Sequence, residues 1–282
     1  MIETFLARDD LPFSPEQWDA LDEAVTETAR RALVGRRFIP LFGPLGAGVQ
    51  TITLDQFDGA HMGAVDLTGE AECGTIRSTG VKHVTLPIIH KDFLLLWRNI
   101  ATSMQLGLPL DVSAARSAAG YTARKEDDLI FHGLPQLDLE GLTTVEGRHV
   151  LALSDWSQVG NAFSDVTAAV ERLVSAGFYG PYALAVPPVL YARMHGVHER
   201  TGVLEIRNVE ELTTAGVFRT PVLPDDKAVL VSSGGQNLDL AVGQDMVVGS
   251  LGPDRMNYEM RVLEILALRI KQPRAIVTFE RG

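Results

Sequence analysis

The chain has 282 residues, of which 46% are hydrophobic, and this is enough apolar material for one large domain or two smaller ones. Its 25 basic and 36 acidic residues give a net charge of −11, and the basic residues are scattered along the chain. Because phosphate binding needs clustered Lys and Arg, we expect no nucleic-acid partner. The single cysteine, Cys73, excludes an intrachain disulfide and any cysteine-based zinc or iron–sulfur site built from one chain.

The start of the chain lacks the pattern of a signal peptide. Residues 1–10 carry acids among their apolar side chains, with no basic start followed by an apolar run. No uncharged stretch approaches the roughly 18 apolar residues of a membrane span. We therefore expect a cytoplasmic protein without a membrane partner, and the low cysteine content suits that reducing compartment.

The first predicted element is a helix that begins near residue 15. Ser14 is suited to be its N-cap, Pro15 to be its first residue, and Gln17 follows the cap by three positions, as in a capping box. Apolar residues then recur at spacings of three and four from Trp18 to Leu33. The pattern predicts an amphipathic helix that docks one face on the rest of the protein.

The next segment, Gly43 to Gly80, contains eight glycines between short alternating runs such as residues 49–54. This pattern is typical of a long hairpin with too little apolar material for a core of its own. A segment of this kind either binds a ligand or is an arm that reaches a neighbouring molecule.

The sequence pattern in the middle of the chain predicts one strand and two helices. The strand covers Val81 to Ile89, and a helix from Asp92 to Met104 is apolar on nearly all sides, which predicts that it is buried. A longer, alanine-rich helix covers Ser113 to His132 and is closed by Gly133.

From Leu134 onward, short strands and helices alternate, as in a mixed α/β domain. The chain then ends in a long alternating strand, Glu259 to Lys271, a break at Pro273 and a last strand over 275–279. The elements between are a helix around 162–176, a strand around 182–186, a short helix around 189–195 and strands around Val217, Val229 and Leu238.

No constellation of residues typical of catalysis is found. The loop Gly43 to Gly48 lacks the Gly-Lys-Ser/Thr ending of a phosphate loop. His195 and His198 have the spacing of metal ligands, but Gly196 weakens a helix there, and we interpret the cluster as a solvated loop tip. The acidic pairs Asp127-Asp128 and Asp225-Asp226 fit a helix surface and a turn. We predict no catalytic residue, no metal site and no enzymatic activity.

A family resemblance begins directly after the first helix. The run Leu33-Val34-Gly35-Arg36-Arg37-Phe38-Ile39, followed by Gly43-Pro44-Leu45-Gly46, resembles the corresponding segment of encapsulin shell proteins. Similar landmarks continue in the same order over nearly the whole chain: Glu126-Asp127, Ile130-Phe131-His132-Gly133, Gly180-Pro181-Tyr182-Ala183-Leu184, Thr220-Pro221, Leu238-Asp239-Leu240-Ala241 and Gly243-Gln244-Asp245.

The resemblance implies an α+β fold of the Hong Kong 97 type, the major-capsid fold of tailed phages. Such a fold has a peripheral domain, an axial domain and an extended loop. On this chain the expected divisions are 1–44 for the first helix and the start of the peripheral domain, 45–85 for the extended loop, 86–133 for the peripheral helices, 134–226 for the axial domain, and 227–282 for the return to the peripheral domain.

The resemblance also implies a function without bond making: copies of the chain self-assemble into an icosahedral cage that encloses a cargo enzyme and admits small solutes through pores. Lys91-Asp92-Phe93 with Trp97-Arg98, and Val203-Leu204-Glu205-Ile206, resemble most the shells that house ferritin-like, iron-mineralising cargo. A true phage capsid protein and a bacteriocin or peptidase are the alternatives.

Two sites follow from the resemblance. The cargo's targeting peptide is expected in a groove formed by Ala29, Arg30, Leu33 and Arg36 with the terminal strands, although Ala29 and Leu33 equally fit a role in packing helix against sheet. The loop Gly196 to Gly202 is expected at a pore, with His198, Glu199 and Arg200 lining it. Some shells bind flavin beside an aromatic residue, but Phe93 and Trp97 compete for that place, and no cofactor is predicted.

Overall fold

The computed structural model describes residues 4–57, 63–71, 73–198 and 202–281. The first helix, α1 (Pro15–Ala32), begins as predicted: the Gln17 amide donates to Ser14 Oγ at 3.3 Å, and the Ser14 amide donates to Gln17 Oε1 at 3.1 Å. Phe13, before the N-cap, packs on Trp18 of the first turn, with ring centroids 5.2 Å apart. A short 3-10 turn over Gly35–Arg37 then redirects the chain.

The remaining elements follow in chain order. They are β1 (Leu41–Phe42), β2 (Thr51–Phe57), β3 (Ser78–Thr85), β4 (Ile88–Leu95), α2 (Trp97–Leu106), α3 (Ser113–His132), β5 (Gly133–Leu134), β6 (Leu139–Glu140), β7 (His149–Ala152), α4 (Asn161–Ser175), β8 (Tyr182–Val186), α5 (Pro188–Arg193), α6 (Glu205–Leu212), β9 (Gly216–Arg219), β10 (Lys227–Ser232), β11 (Leu238–Asp254), β12 (Asn257–Ile270) and β13 (Ile276–Glu280).

A four-stranded sheet carries the two long helices. Its strand order is β1-β11-β12-β4, with β1 parallel to β11 and the other pairs antiparallel. The helices α1 and α3 pack on this sheet, and apolar side chains of both helices, such as Leu21 and Ala119, share a core with Val248 and Val262 of the sheet.

A second sheet of five strands has the order β7-β13-β10-β8-β9 and packs against α4 and α6 around buried Trp156 and Phe279. Two of its strands, β10 and β13, come from the segment 227–282 but pair with strands of 134–226. The second sheet therefore includes strands from both sides of the expected division at residue 226, because β10 and β13 follow that residue in the chain.

The described part of the glycine-rich segment forms a hairpin, as predicted. β2 pairs antiparallel with β3 from Thr51↔Thr85 to Phe57↔Ser78. Ile52 and Leu54 face the body of the protein and pack against its core, whereas the tip leaves large apolar side chains such as Phe57 in solvent.

The prediction of a buried helix over Asp92–Met104 is wrong in two respects: the helix begins later in the chain, and most of it is not buried. Residues 88–95 form β4, which pairs with β12 along its whole length and turns Phe93 and Leu95 into the core. Pro87 separates β3 from β4, since proline has no N–H for a ladder. The helix that follows, α2, buries only Ile100 and Ser103.

The two sheets meet in a further core that includes Phe38, Phe131, Val229 and Leu240. None of the helices in the described ranges has the length and apolar character needed to cross a membrane.

Candidate functional site

A cleft of about 280 Å³ lies at the C-terminal end of α1 and contains all four residues predicted for the cargo groove. The sheet side of the cleft is supplied by β11, a strand of the segment 227–282. The lining residues are Thr26, Ala29, Arg30, Leu33, Arg36, Arg37, Asp245 and Met246. The cleft thus combines a small apolar surface with three guanidinium groups and one carboxylate.

The four predicted residues differ in how they face this cleft. Ala29 and Leu33 are each 6% exposed and pack with Ala123 of α3, so most of their surface is used in joining the two helices. Arg30 is exposed and has no ion-pair partner within the described part of the chain. It is therefore available to an anionic group of a bound molecule.

Arg36 is the fourth predicted residue and is held by three carboxyl groups. Its Nε donates to Glu126 Oε1 at 2.7 Å, its Nη1 to Asp245 Oδ1 at 2.6 Å, and its Nη2 to Glu264 Oε2 at 3.0 Å. Glu126 and Glu264 are fully buried, whereas Asp245 is exposed at the edge of the cleft. Three distant parts of the chain, α3, β11 and β12, therefore fix the direction of one side chain in the cleft.

Asp127 holds the backbone just before Arg36. Its carboxylate accepts hydrogen bonds from the amides of Val34 at 3.0 Å and Gly35 at 2.9 Å. Burial raises the pKa of Asp127 to about 7, although these two hydrogen bonds favour its ionised form and act against the shift. The turn that carries Arg36 is thus tied to α3 by a carboxyl group that titrates near neutral pH.

The sequence prediction did not include the acidic residues around Arg36. Burial, and after it the proximity of Glu126, raises the pKa of Glu264 well above its usual range. One signal was available in the sequence, since Glu264 stands between Leu263 and Ile265 in a long apolar strand. A carboxyl group at such a position needs a buried partner.

Of the predicted pore residues, His198 lies between α5 and α6. Its amide donates to Val203 O at 2.9 Å, and its carbonyl accepts from the amide of Gly202 at 2.8 Å. The base of the loop is anchored by buried Glu205, whose Oε1 accepts from the amide of Phe163 in the first turn of α4 at 2.9 Å. Glu199 and Arg200 lie outside the described residues.

The other candidates from the sequence make ordinary structural contacts. His195 packs on the ring of Tyr191, with its Nδ1 3.0 Å from the carbonyl of the same residue. Gly43 has a positive φ, and a Cβ there would stand 2.4 Å from Val242 O, so close backbone approach explains this glycine. Within the described ranges, no three His, Cys, Asp or Glu side chains are arranged to hold a metal ion.

Comparison with known proteins gives consistent results. A family model described as an encapsulating protein for peroxidase matches residues 3–267. The type 1 encapsulin shell protein EncA of Myxococcus xanthus is 47% identical over 98% of this chain and 96% of its own. A diheme-cytochrome-encapsulin shell fusion protein of Kuenenia stuttgartiensis is 43% identical over 96% of this chain and 74% of its own.

Solved structures with low identity share the fold. A virus-like particle from Pyrococcus furiosus has a TM-score of 0.76 at 22% identity, with 94% of this chain and 100% of the other covered. The capsid of Myoviridae phage XM1 has a TM-score of 0.64 at 12% identity, with 86% and 90% covered. The fold is therefore the Hong Kong 97-type capsid fold that the resemblance implied. With the family model and the 47% identical shell protein, this shows that the chain belongs to the encapsulin shell protein family, whose members are structural, capsid-forming proteins and not enzymes.

Proposed function

We propose that this chain assembles with copies of itself into a closed icosahedral shell in the cytoplasm, and that the shell encloses a cargo enzyme. Membership of the encapsulin family, over residues 3–267, is the observation that carries this proposal. The hairpin of β2 and β3 supports it, because it leaves the large apolar side chains of Phe57 and Val81 60% and 50% exposed. Apolar surface of this kind is best covered by a neighbouring subunit.

Expression of the chain alone, followed by size-exclusion chromatography and negative-stain microscopy, tests assembly. We expect uniform hollow particles, and a stable monomer contradicts the proposal. The variant Phe57→Ser/Val81→Ser removes apolar surface from the hairpin and should shift material from particles to small species. His83→Asn, on the same exposed face of β3, is the matched control and should assemble normally.

The phage-capsid alternative shares the fold and is distinguished by the contents of the particle. Shells purified with their cargo from the native host should contain protein and no packaged DNA. Particles filled with DNA would favour the phage alternative. The bacteriocin or peptidase alternative is not supported, since the family is structural.

The cleft beside α1 is the proposed docking site for the targeting peptide of the cargo. Met246 is partly exposed and offers apolar surface, and exposed Arg30 offers a free positive charge, so the cleft suits a short peptide with apolar side chains and a carboxylate. We expect Arg30→Glu to lower the amount of cargo that copurifies with the shell while assembly is unchanged. Arg124→Glu, an exposed arginine of α3 outside the cleft, makes the same charge change and is the control.

A ferritin-like, iron-mineralising enzyme is the proposed cargo, on the resemblance of the segments 91–98 and 203–206 to shells of that type. Mass spectrometry of shells from the native host tests it directly. A ferritin-like protein is the expected result, and a cytochrome or a peroxidase as the main cargo contradicts it.

The loop around His198 is the proposed pore lining, with Glu199 and Arg200. In shells loaded with an iron oxidase, His198→Asp should change the rate of iron uptake at low ionic strength more than at high ionic strength, because charge in a pore acts through screened electrostatics. Equal rates in the variant and the wild type at both salt concentrations would contradict this role.

A further inference from the structure

Among the described residues, three arginines direct both Nε and Nη2, which form one edge of the guanidinium group, at carboxyl oxygens. Arg261 directs these two atoms at both oxygens of Asp92, at 2.6 and 2.8 Å. Arg269 directs them at both oxygens of Asp239, at 2.6 and 2.7 Å. This is the normal bidentate pairing, in which two parallel N–H groups match the oxygens of one carboxylate.

Arg36 departs from this pattern. Its Nε and Nη2 contact two different carboxyl groups, Glu126 at 2.7 Å and Glu264 at 3.0 Å. Because Nε and Nη2 lie on one edge of the planar guanidinium group, the carboxyl groups of Glu126 and Glu264 are held side by side. Two negatively charged oxygens do not share such a position without a proton between their groups.

Burial strengthens the same conclusion. Both glutamates have no exposed surface, and the second oxygen of each, Glu126 Oε2 and Glu264 Oε1, is buried without a hydrogen-bond donor among the described residues. A buried carboxylate oxygen that lacks a donor is costly, and a proton on one glutamate supplies that donor to the other.

Among the described residues, Arg36 is the one cation that forms an ion pair with Glu126 or Glu264. Arg36 already faces Asp245 from β11, and Arg37 from the same turn donates instead to the carbonyl of Arg31. Asp127, next to Glu126 on α3, adds a further acid that is held by backbone amides. With one proton, the pair carries a single negative charge that Arg36 balances.

We propose that Glu126 and Glu264 together form a proton-binding site that holds one proton at neutral pH and fixes Arg36 at the floor of the cleft. The site belongs to the folded subunit and does not depend on whether the cleft binds cargo. Because the pKa of Glu264 is raised above that of the unfolded chain, the proton is bound more tightly by the folded state. The stability that it contributes is complete below the unfolded pKa and is lost as the pH rises through the folded one.

The test uses assembled shells of the full chain, with thermal unfolding midpoints measured from pH 5 to pH 9. Glu264→Gln and Glu126→Gln each mimic the protonated form, so each should raise the midpoint at pH 8 by a few degrees and reduce its fall with pH. Because Asp127 titrates in the same range, the slope of each variant is compared with that of the wild type. The double variant leaves Arg36 with only Asp245, so it should lower the midpoint at every pH.

Other protonation states give other results. If both glutamates are ionised from pH 5 to pH 9, the fall of the midpoint with pH is the same in each single variant as in the wild type; if both are protonated, the double variant is harmless. Either outcome overturns the proposal. Asp92→Asn is the matched control at an ordinary bidentate pair: Arg261 lowers the pKa of Asp92, so this variant should lower the midpoint at pH 8 and have little effect in acid.

Infrared spectroscopy gives a direct reading that does not need unfolding. At pH 8, where Asp127 is mainly ionised, the wild type should show the C=O stretching band of a protonated carboxyl group. The band should remain in Asp92→Asn and disappear in Glu264→Gln and in Glu126→Gln. A spectrum without the band in the wild type, or a band that persists in both glutamine variants, overturns the assignment.

Discussion

Gly35 lies in the turn between α1 and Arg36, where a single methyl group would test how tightly the turn is held. A Cβ at this position would stand 2.6 Å from Cδ1 of Ile130 and 3.4 Å from Oδ1 of Asp127. Ile130 is completely buried in the core between the two sheets. The φ of Gly35 lies outside the left-handed region, so steric fit alone decides the effect of Gly35→Ala.

The expected cost follows from that contact. Overpacking a tight core destabilises a protein by about 1–3 kcal/mol. Gly→Ala also restricts the backbone of the unfolded chain, and this stabilises the folded state by about 0.4–1 kcal/mol. The net destabilisation is therefore about 1–2 kcal/mol, which lowers the thermal midpoint by roughly 2–3 °C for a chain of this size. Gly48→Ala is the control, because a Cβ at Gly48 meets no atom within 4 Å and should leave the midpoint nearly unchanged.

The decisive measurement is a double-mutant cycle on assembled shells at a fixed subunit concentration, since assembly itself shifts the midpoint. Ile130→Val removes Cδ1, the nearest atom, and by itself costs about 0.5–1.5 kcal/mol. In that background, Gly35→Ala should be close to neutral, which gives a coupling of about 1–2 kcal/mol. If the two changes add to within about 0.5 kcal/mol, the steric reasoning is refuted.

Three further predictions concern stability. Asp239→Asn removes the carboxylate that pairs with buried Arg269 and with Lys271, and should cost about 3–5 kcal/mol in denaturant unfolding; a cost under about 1 kcal/mol contradicts this. Ser14→Ala removes the N-cap of α1 and should cost about 1 kcal/mol, measured as a lower thermal midpoint. Asp127 has a pKa of about 7 when folded, so its contribution is present in acid and lost as the pH rises through 7; Asp127→Asn should flatten the fall of the midpoint between pH 6 and pH 8, and an unchanged slope would argue against it.

The elements that the sequence predicted well are those with local causes. The start of α1 depends on Ser14, Pro15 and Gln17, which lie within one turn, and the end of α3 coincides with Gly133. The long strand β12 was visible in its alternation. In each case the residues that determine the structure are close together in the chain, so the pattern can be read without knowledge of tertiary contacts.

The error at residues 92–96 has a distant cause. Phe93, Leu94 and Leu95 have no strict alternation, and their apolar run fits a buried helix as well as a strand. The strand conformation is set by pairing with Met260, Glu259 and Tyr258 of β12, more than 160 residues away in the chain. Tertiary pairing of this kind overrides local propensity, and a single sequence gives no signal for it.

The residues around Arg36 show the same limit at the candidate site. The resemblance placed Arg36 in the groove, but Glu126, Asp245 and Glu264 come from three other elements, and only the folded chain brings them together. Glu264 in an apolar strand was a visible anomaly, yet its partner could not be identified, because acids and bases far apart in sequence combine in many ways.

Buried charge gives little net stability, and well-packed apolar residues at the positions of Arg36, Glu126 and Glu264 would stabilise the fold at least as well. Apolar residues, however, make no directional hydrogen bonds that would fix how these elements are oriented. The three hydrogen bonds of Arg36 fix the angle between the end of α1, the helix α3 and the strand β12, and they leave Nη1 on the exposed carboxylate of Asp245. The cleft next to these three elements therefore has one shape and one arrangement of charge, and the proposed docking of a targeting peptide requires both.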